Sequence, residues 1–300
     1  MKLSKDRFHR AVDFIQTSAR PLEQALYRYH FADGTADDVL RELEKFQNED
    51  GGFGHGLEPD LRLKDSSVIA TTIAFQRFRE VNAPGDHPVV VKACGYLASN
   101  YDAARVNWRI IPANVDDAPH APWWTPGGDL EKSMSNPRAE IAGYLNEYPQ
   151  HFPAEMRETV TQSVVDFLFS QPDAMEMHDL LCYLRFYQTP ALASDTRLLD
   201  KLKRVVNATV ERDPEQWRNY GLQPLAVITS PESPFAADFT DAIQHNLDFI
   251  IQNQGEDGGW GPNWSWGNQW QEAWEQAKRD VSGVITLDNL LKLRSFGRIE

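Results

Sequence analysis

Three stretches of this sequence gather residues that could do chemistry, and two of them combine the types that acid–base chemistry requires. HGLEPDLRLKDSS (55–67) carries His55, Glu58, Asp60 and Asp65. VDDAPHAPWW (115–124) sets Asp116, Asp117 and His120 beside Trp123 and Trp124. A carboxylate beside apolar rings has a raised pKa and can serve as a general acid; a nearby imidazole can take the proton back. A plainer reading stands beside each. Asp65 or Ser66 caps the next helix, Glu58 is a solvated loop acid, and the Pro-rich loop is pinned by its tryptophans with its acids facing water. Local conformation alone explains His55, flanked by two glycines, least well.

The third stretch is GWGPNWSWGNQWQEAWEQ (259–276). Trp266, Trp270 and Trp274 are spaced by four, which predicts one aromatic face of a helix. Such a wall can stabilise a cationic intermediate by cation–π attraction, stack on sugar rings, or pack a core. Trp270 and Trp274 read first as core, with Trp270 a substrate-wall candidate; Trp264 and Trp266 lie in a loop, where a ligand role is more natural. Glu140 falls in the first turn of a helix expected over 136–148. Its ordinary role there is to offset the helix dipole; contact with substrate is the functional alternative.

Other chemistries lack their residues. There is no G-x-S-x-G, no P-loop and no G-x-G-x-x-G. His178 and Asp179 are adjacent and therefore point in different directions on a helix. No metal or cofactor is expected. The formal charge of −14, from 30 basic and 44 acidic residues, argues against nucleic acid and anionic lipid as partners. No apolar run reaches the roughly 20 residues of a membrane span, and the first residues lack the apolar stretch of a signal peptide. Two cysteines, Cys94 and Cys182, fit a reducing cytoplasm.

The elements that must position these groups are helical. Apolar residues recur at helical spacing in about a dozen segments, among them roughly 67–82, 88–101, 154–171, 174–189, 196–211, 214–228, 237–253, 268–278 and 283–296. Two long irregular stretches interrupt them, Gln47–Ser66 and Asp102–Pro137. No Ser/Gly linker divides the chain, so one all-α domain over 1–300 is expected.

An internal repeat organises this pattern. QNEDGGFG (47–54) and QGEDGGWG (254–261) agree at six of eight positions. Leu43 and Ile250 stand four residues before the glutamines. Downstream, SSVIATTIAFQRF (66–78) parallels VSGVITLDNLLKL (281–293), with an eight-residue insertion before the second copy. Each unit is an apolar helix, a Gln, a Gly-Gly-aromatic turn and a second apolar helix. The glycines permit a tight left-handed turn, and the glutamine can bond helix-terminal groups.

This motif resembles the QW repeat (prenyltransferase and squalene oxidase repeat) of the terpenoid cyclase and protein prenyltransferase superfamily. The resemblance implies an (α/α)6 toroid with its two long loops at one rim and a central cavity for a small molecule. NPRAEIAGYLNEY (136–148) looks like a degenerate third inner helix. The cyclase motif D-x-D-D is only approached by Asn114-Val115-Asp116-Asp117, with Asp116 the corresponding acid; D-D-x-x-D fails at Arg41, and no Asp-x-Cys pair supports zinc or prenyl transfer. The expected function is metal-free acid–base cyclisation, isomerisation or elimination on an apolar, terpenoid-like molecule. A carbohydrate-active lyase or hydrolase with a similar toroid, and a non-catalytic scaffold, are the alternatives. Nothing in the sequence sets the oligomeric state.

Overall fold

Helix starts follow local hydrogen-bonding chemistry. Ser4 accepts the Arg7 N–H and opens α1 (Lys5–Ser18). Pro21 occupies the first position of α2 (Pro21–Phe31), where its missing N–H costs nothing. Ahead of α3 (Ala36–Glu44), Asp38 N–H donates to Thr35 Oγ1 at 3.2 Å and Thr35 N–H donates to Asp38 Oδ2 at 3.0 Å, a reciprocal cap. Ser67, rather than Asp65 or Ser66, caps α4 (Val68–Glu80). There follow α5 (Pro88–Ser99), α6 (Asp129–Lys132), α7 (Arg138–Glu147), α8 (Ala154–Ser170), α9 (Met177–Tyr187), α10 (Thr196–Thr209), α11 (Pro224–Val227), α12 (Thr240–Gln252) and α13 (Gln271–Ser295). A computed structural model describes all 300 residues, the side chains of Asp129 and Glu131 excepted. Among the described residues, strand structure is confined to a two-residue hairpin, Tyr101–Asp102 with Asn107–Trp108, and isolated bridges. The chain is mostly helical, as the periodicity predicts. No described helix is long and apolar enough to cross a membrane.

Two expectations are corrected. The helix expected over 214–228 is instead a short 3-10 turn at Pro214–Gln216 and the four-residue α11; Pro214, Gly221 and Pro224 break the periodic stretch. The helices expected over 268–278 and 283–296 are one, α13. Gly283 does not end it: a Cβ there would sit 2.7 Å from that of Ala19, so the glycine permits close packing. Because α13 begins at Gln271, Trp266, Trp270 and Trp274 do not share a helix face. Trp270 is the left-handed N-cap (φ 51°) and is exposed, while Trp266 is buried against Trp274 at a ring distance of 5.6 Å.

The chain falls into two compact units, Met1–Glu42 with Val210–Glu300, and Leu43–Thr209. Each unit holds one copy of the repeat turn. In the second unit Gln47 Nε2 donates to the carbonyls of Gly51 and Val89, both at 2.9 Å. In the first, Gln254 Nε2 donates to those of Gly258 (2.7 Å) and Arg7 (2.9 Å). Asp50 and Asp257 accept the amides of Gly52 and Gly259. Gly51 (φ 87°) and Gly258 (φ 93°) take the left-handed position. The amides of Phe53 and Trp260 donate to Thr71 and Thr286 Oγ1, at 3.1 and 2.9 Å. These amides are buried, so the hydroxyls are structural. Thr71→Val and Thr286→Val are each expected to cost about 1–3 kcal/mol, the penalty of an orphaned buried donor, read from urea unfolding curves.

The repeat is longer than the sequence comparison shows. A Cβ on Gly51 would lie 2.4 Å from Lys92 O of α5, and one on Gly258 2.4 Å from Arg10 O of α1. Gly52 meets the Tyr96 ring and Gly259 the Phe14 ring. Val89, Lys92 and Tyr96 thus correspond to Arg7, Arg10 and Phe14, with the same spacing. In the second unit α5 follows α4 through a left-handed cap at Asn82 (φ 51°) and an Ala83 N–H bond to Phe78 O at 2.8 Å. In the first, α13 ends with Gly297 (φ 64°) and an Arg298 N–H bond to Leu293 O at 2.7 Å. The equivalent third helix is α1, at the opposite end of the chain, joined by a parallel bridge between Leu3 and Ile299.

Candidate functional site

The two long irregular stretches meet in the second unit. Gly54 lets the arms of the first close together, since a Cβ there would lie 2.3 Å from the carbonyls of Lys64 and Asp65. His55 is left-handed (φ 54°) and exposed; its Nε2 donates to Asn48 Oδ1 at 2.9 Å. Asn48 in turn holds Lys64 O and Ser66 Oγ, both at 3.0 Å. His55 is therefore engaged in holding its own loop. Residues 60–62 then pair with 119–121: Ala121 N–H donates to Asp60 O at 2.8 Å, Arg62 N–H to Pro119 O at 2.9 Å, and Leu61 bridges His120. Asn114 Nδ2 donates to Asp65 Oδ2 at 2.6 Å, a second link between the stretches.

This pairing fixes His120. Its side chain is buried, and Nδ1 lies 2.8 Å from Ala118 O. A carbonyl only accepts, so Nδ1 carries a proton. Nε2 then faces Asp116 Oδ1 at 3.6 Å, with Asp116 itself 75% exposed. A neutral His120 presents the Nε2 lone pair, and protonation there creates an ion pair with Asp116. The imidazole is thus oriented, with one nitrogen on a backbone carbonyl and the other toward a carboxylate. Asp60 is buried and Glu58 half-buried beside the paired segment, whereas Asp117 and Trp123 are exposed. Trp124 is buried in the 3-10 turn Pro122–Trp124, and its Nε1 has no hydrogen-bond partner among the described residues.

Glu140 occupies a different part of the same unit. From Arg138 to Leu145, α7 is buried, and it packs on α8 and α9. A carboxylate there must be partnered. Glu140 Oε2 accepts from Arg185 Nη1 (3.1 Å), Gln76 Nε2 (3.2 Å) and Tyr144 OH (3.4 Å). One turn of α9 away, Cys182 Sγ lies 3.6 Å from Asn136 Oδ1, and burial pushes its thiol well above the ordinary range. It is inert as a nucleophile at neutral pH. Burial also raises the Asp179 carboxyl, which accepts from Ser133 Oγ at 2.9 Å.

Compared with protein-family models, curated proteins and solved structures, this chain matches none.

The remaining tryptophan candidates belong to the first unit. Trp264 meets Tyr220 edge-on at 5.9 Å, and Tyr220 is 57% exposed. Trp266 is buried in packing, so its contact surface is taken by Trp274 rather than offered to solvent. Sequence reasoning missed Gln76, Tyr144 and Arg185 as the partners of Glu140. The available signal was the run AEIAGYL (139–145), in which Glu140 is the one charged residue; a carboxylate set in such a run needs a partner.

Proposed function

We propose that this chain is an enzyme of the α/α-toroid kind that moves protons on a small apolar, terpenoid-like molecule, in a cyclisation, isomerisation or elimination. His120 takes the proton through Nε2, Asp116 stabilises the imidazolium, and Glu58 or Asp60 is the acid partner. The observation that carries this reading is the His120 geometry: a buried imidazole with its tautomer set by Ala118 O and its other nitrogen facing a carboxylate. The two copies of the helix–Gln-turn–helix–helix unit support the fold assignment. Both free cysteines are buried, which fits a reducing, cytoplasmic setting.

The test is deuterium exchange into candidate substrates. A panel of isoprenoid alkenes and alcohols is incubated with the protein in D2O and read by mass spectrometry. Incorporation above a heat-inactivated control is expected for at least one, falling about a hundredfold in His120→Gln. Equal incorporation in His120→Gln sinks the assignment. No incorporation across the panel, with a saccharide cleaved instead, favours the carbohydrate reading, for which the Tyr220–Trp264 pair is the supporting surface. Failure of both panels favours a scaffold.

A further inference from the structure

The unit Leu43–Thr209 contains a groove of about 600 Å³ whose walls include Arg138 and Met134 on one side and Gln162, Ser163, Asp166 and Phe167 of α8 on the other. Arg138 opens α7 and is only 1% exposed. Its Nε donates to Met134 O at 2.7 Å and its Nη1 to Ser163 Oγ at 3.0 Å. Its Nη2 is buried without a hydrogen-bond partner among the described residues. No carboxylate among the described residues pairs with it. A buried guanidinium is costly unless an anion balances it, and arginine does not escape by losing its proton. Tyr183 and Tyr101 are the titratable groups that act on it, and both phenols are neutral at physiological pH; burial pushes Tyr183 up to about 12 and Tyr101 up as well. Among the described residues Asp166 lines the same groove, but no carboxylate lies within ion-pair distance of the Arg138 guanidinium.

We propose that this groove binds a monocarboxylate with an apolar body, its carboxylate on Arg138 Nη2. The charge count selects a monoanion. Asp166 also lines the groove, held by Gln162 Nε2 at 2.8 Å, so a dianion such as phosphate meets a like charge that Arg138 alone does not offset. The apolar body follows from Phe167, whose ring lies 5.7 Å from the Arg138 guanidinium carbon, and from Met134. Planar, forked guanidinium geometry suits a carboxylate. The site is separate from His120 and stands whether or not the proton-transfer reading holds.

Sodium benzoate is the probe, with sodium acetate, phosphate and chloride compared at equal ionic strength by differential scanning calorimetry. Benzoate is expected to raise Tm saturably by several degrees, with acetate at least tenfold weaker and phosphate no better than chloride. Arg138→Gln removes the benzoate response. Asp166→Asn, an exposed position that leaves the core intact, tightens benzoate binding several-fold by deleting the like charge. The proposal fails if benzoate acts no differently from chloride, if phosphate is the better ligand, or if Asp166→Asn leaves the response unchanged. That last arm decides the matter even where Arg138→Gln does not fold.

Discussion

Gly258→Ala is expected to destabilise the unit that contains it by about 4 kcal/mol. Two costs add. At φ 93° an L-residue is strained by about 1–3 kcal/mol. The new Cβ would also lie 2.4 Å from Arg10 O, and a backbone carbonyl yields only if α1 moves, an overpacking cost of about 1–3 kcal/mol. Moving α1 in turn stretches the Gln254 bond to Arg7 O, so turn and helix fail together. Gly267→Ala is the control. It shares the positive φ (64°) but has nothing within 4 Å of its Cβ, so only backbone strain of about 1–2 kcal/mol remains. Urea midpoints followed by tryptophan fluorescence separate the two. Equal losses would show that the approach to α1 does not matter. Gly51→Ala, 2.4 Å from Lys92 O, should reproduce the larger effect in the second unit.

The same contacts show what the sequence could and could not disclose. The glutamine, the glycine pair, the aromatic and the downstream threonine are local, and their recurrence marks the turn. What the glutamine reaches is not local. Val89 is 42 residues from Gln47, and Arg7 is 247 residues from Gln254. The third helix of the repeat is hidden because in one copy it sits at the other end of the chain. A signal did exist: KACGYL (92–97) matches RAVDFI (10–15) in basic, small, apolar and aromatic character at five of six positions. It is visible only once the chain is read as a circle. The candidate site divides similarly. His120 and Asp116 are four apart and legible as a pair. The pairing of 60–62 with 119–121 that buries His120 is made by backbone groups, which side-chain types do not encode. The expected tryptophan face does not form because spacing by four implies a shared face only inside a helix, and α13 starts after Trp270.

Arg185→Met is expected to cost about 3 kcal/mol, and the reason bears on what Glu140 does. Without Arg185 the carboxylate, 1% exposed, keeps Gln76 and Tyr144 as its donors among the described residues. Burial, reinforced by the Glu140 charge, pushes the Tyr144 phenol well above its ordinary value, so it stays a donor and supplies no counter-charge. Breaking a buried ion pair from one side costs about 3–5 kcal/mol. The lower end applies because the Arg185 side chain is 31% exposed and two donors persist. Glu140→Gln keeps an acceptor for Gln76 and should lose only about 1–2 kcal/mol. The double variant Glu140→Met/Arg185→Met removes both charges and should recover part of the loss, giving a non-zero coupling energy in urea unfolding. Zero coupling would mean the pair does not form. Once a reaction is in hand, the same variants separate two roles for Glu140. A carboxylate that only ties α7 to α9 loses activity in step with stability. One that touches substrate loses activity in Glu140→Gln far beyond that small stability change, because the amide restores the packing and the acceptor but not the charge.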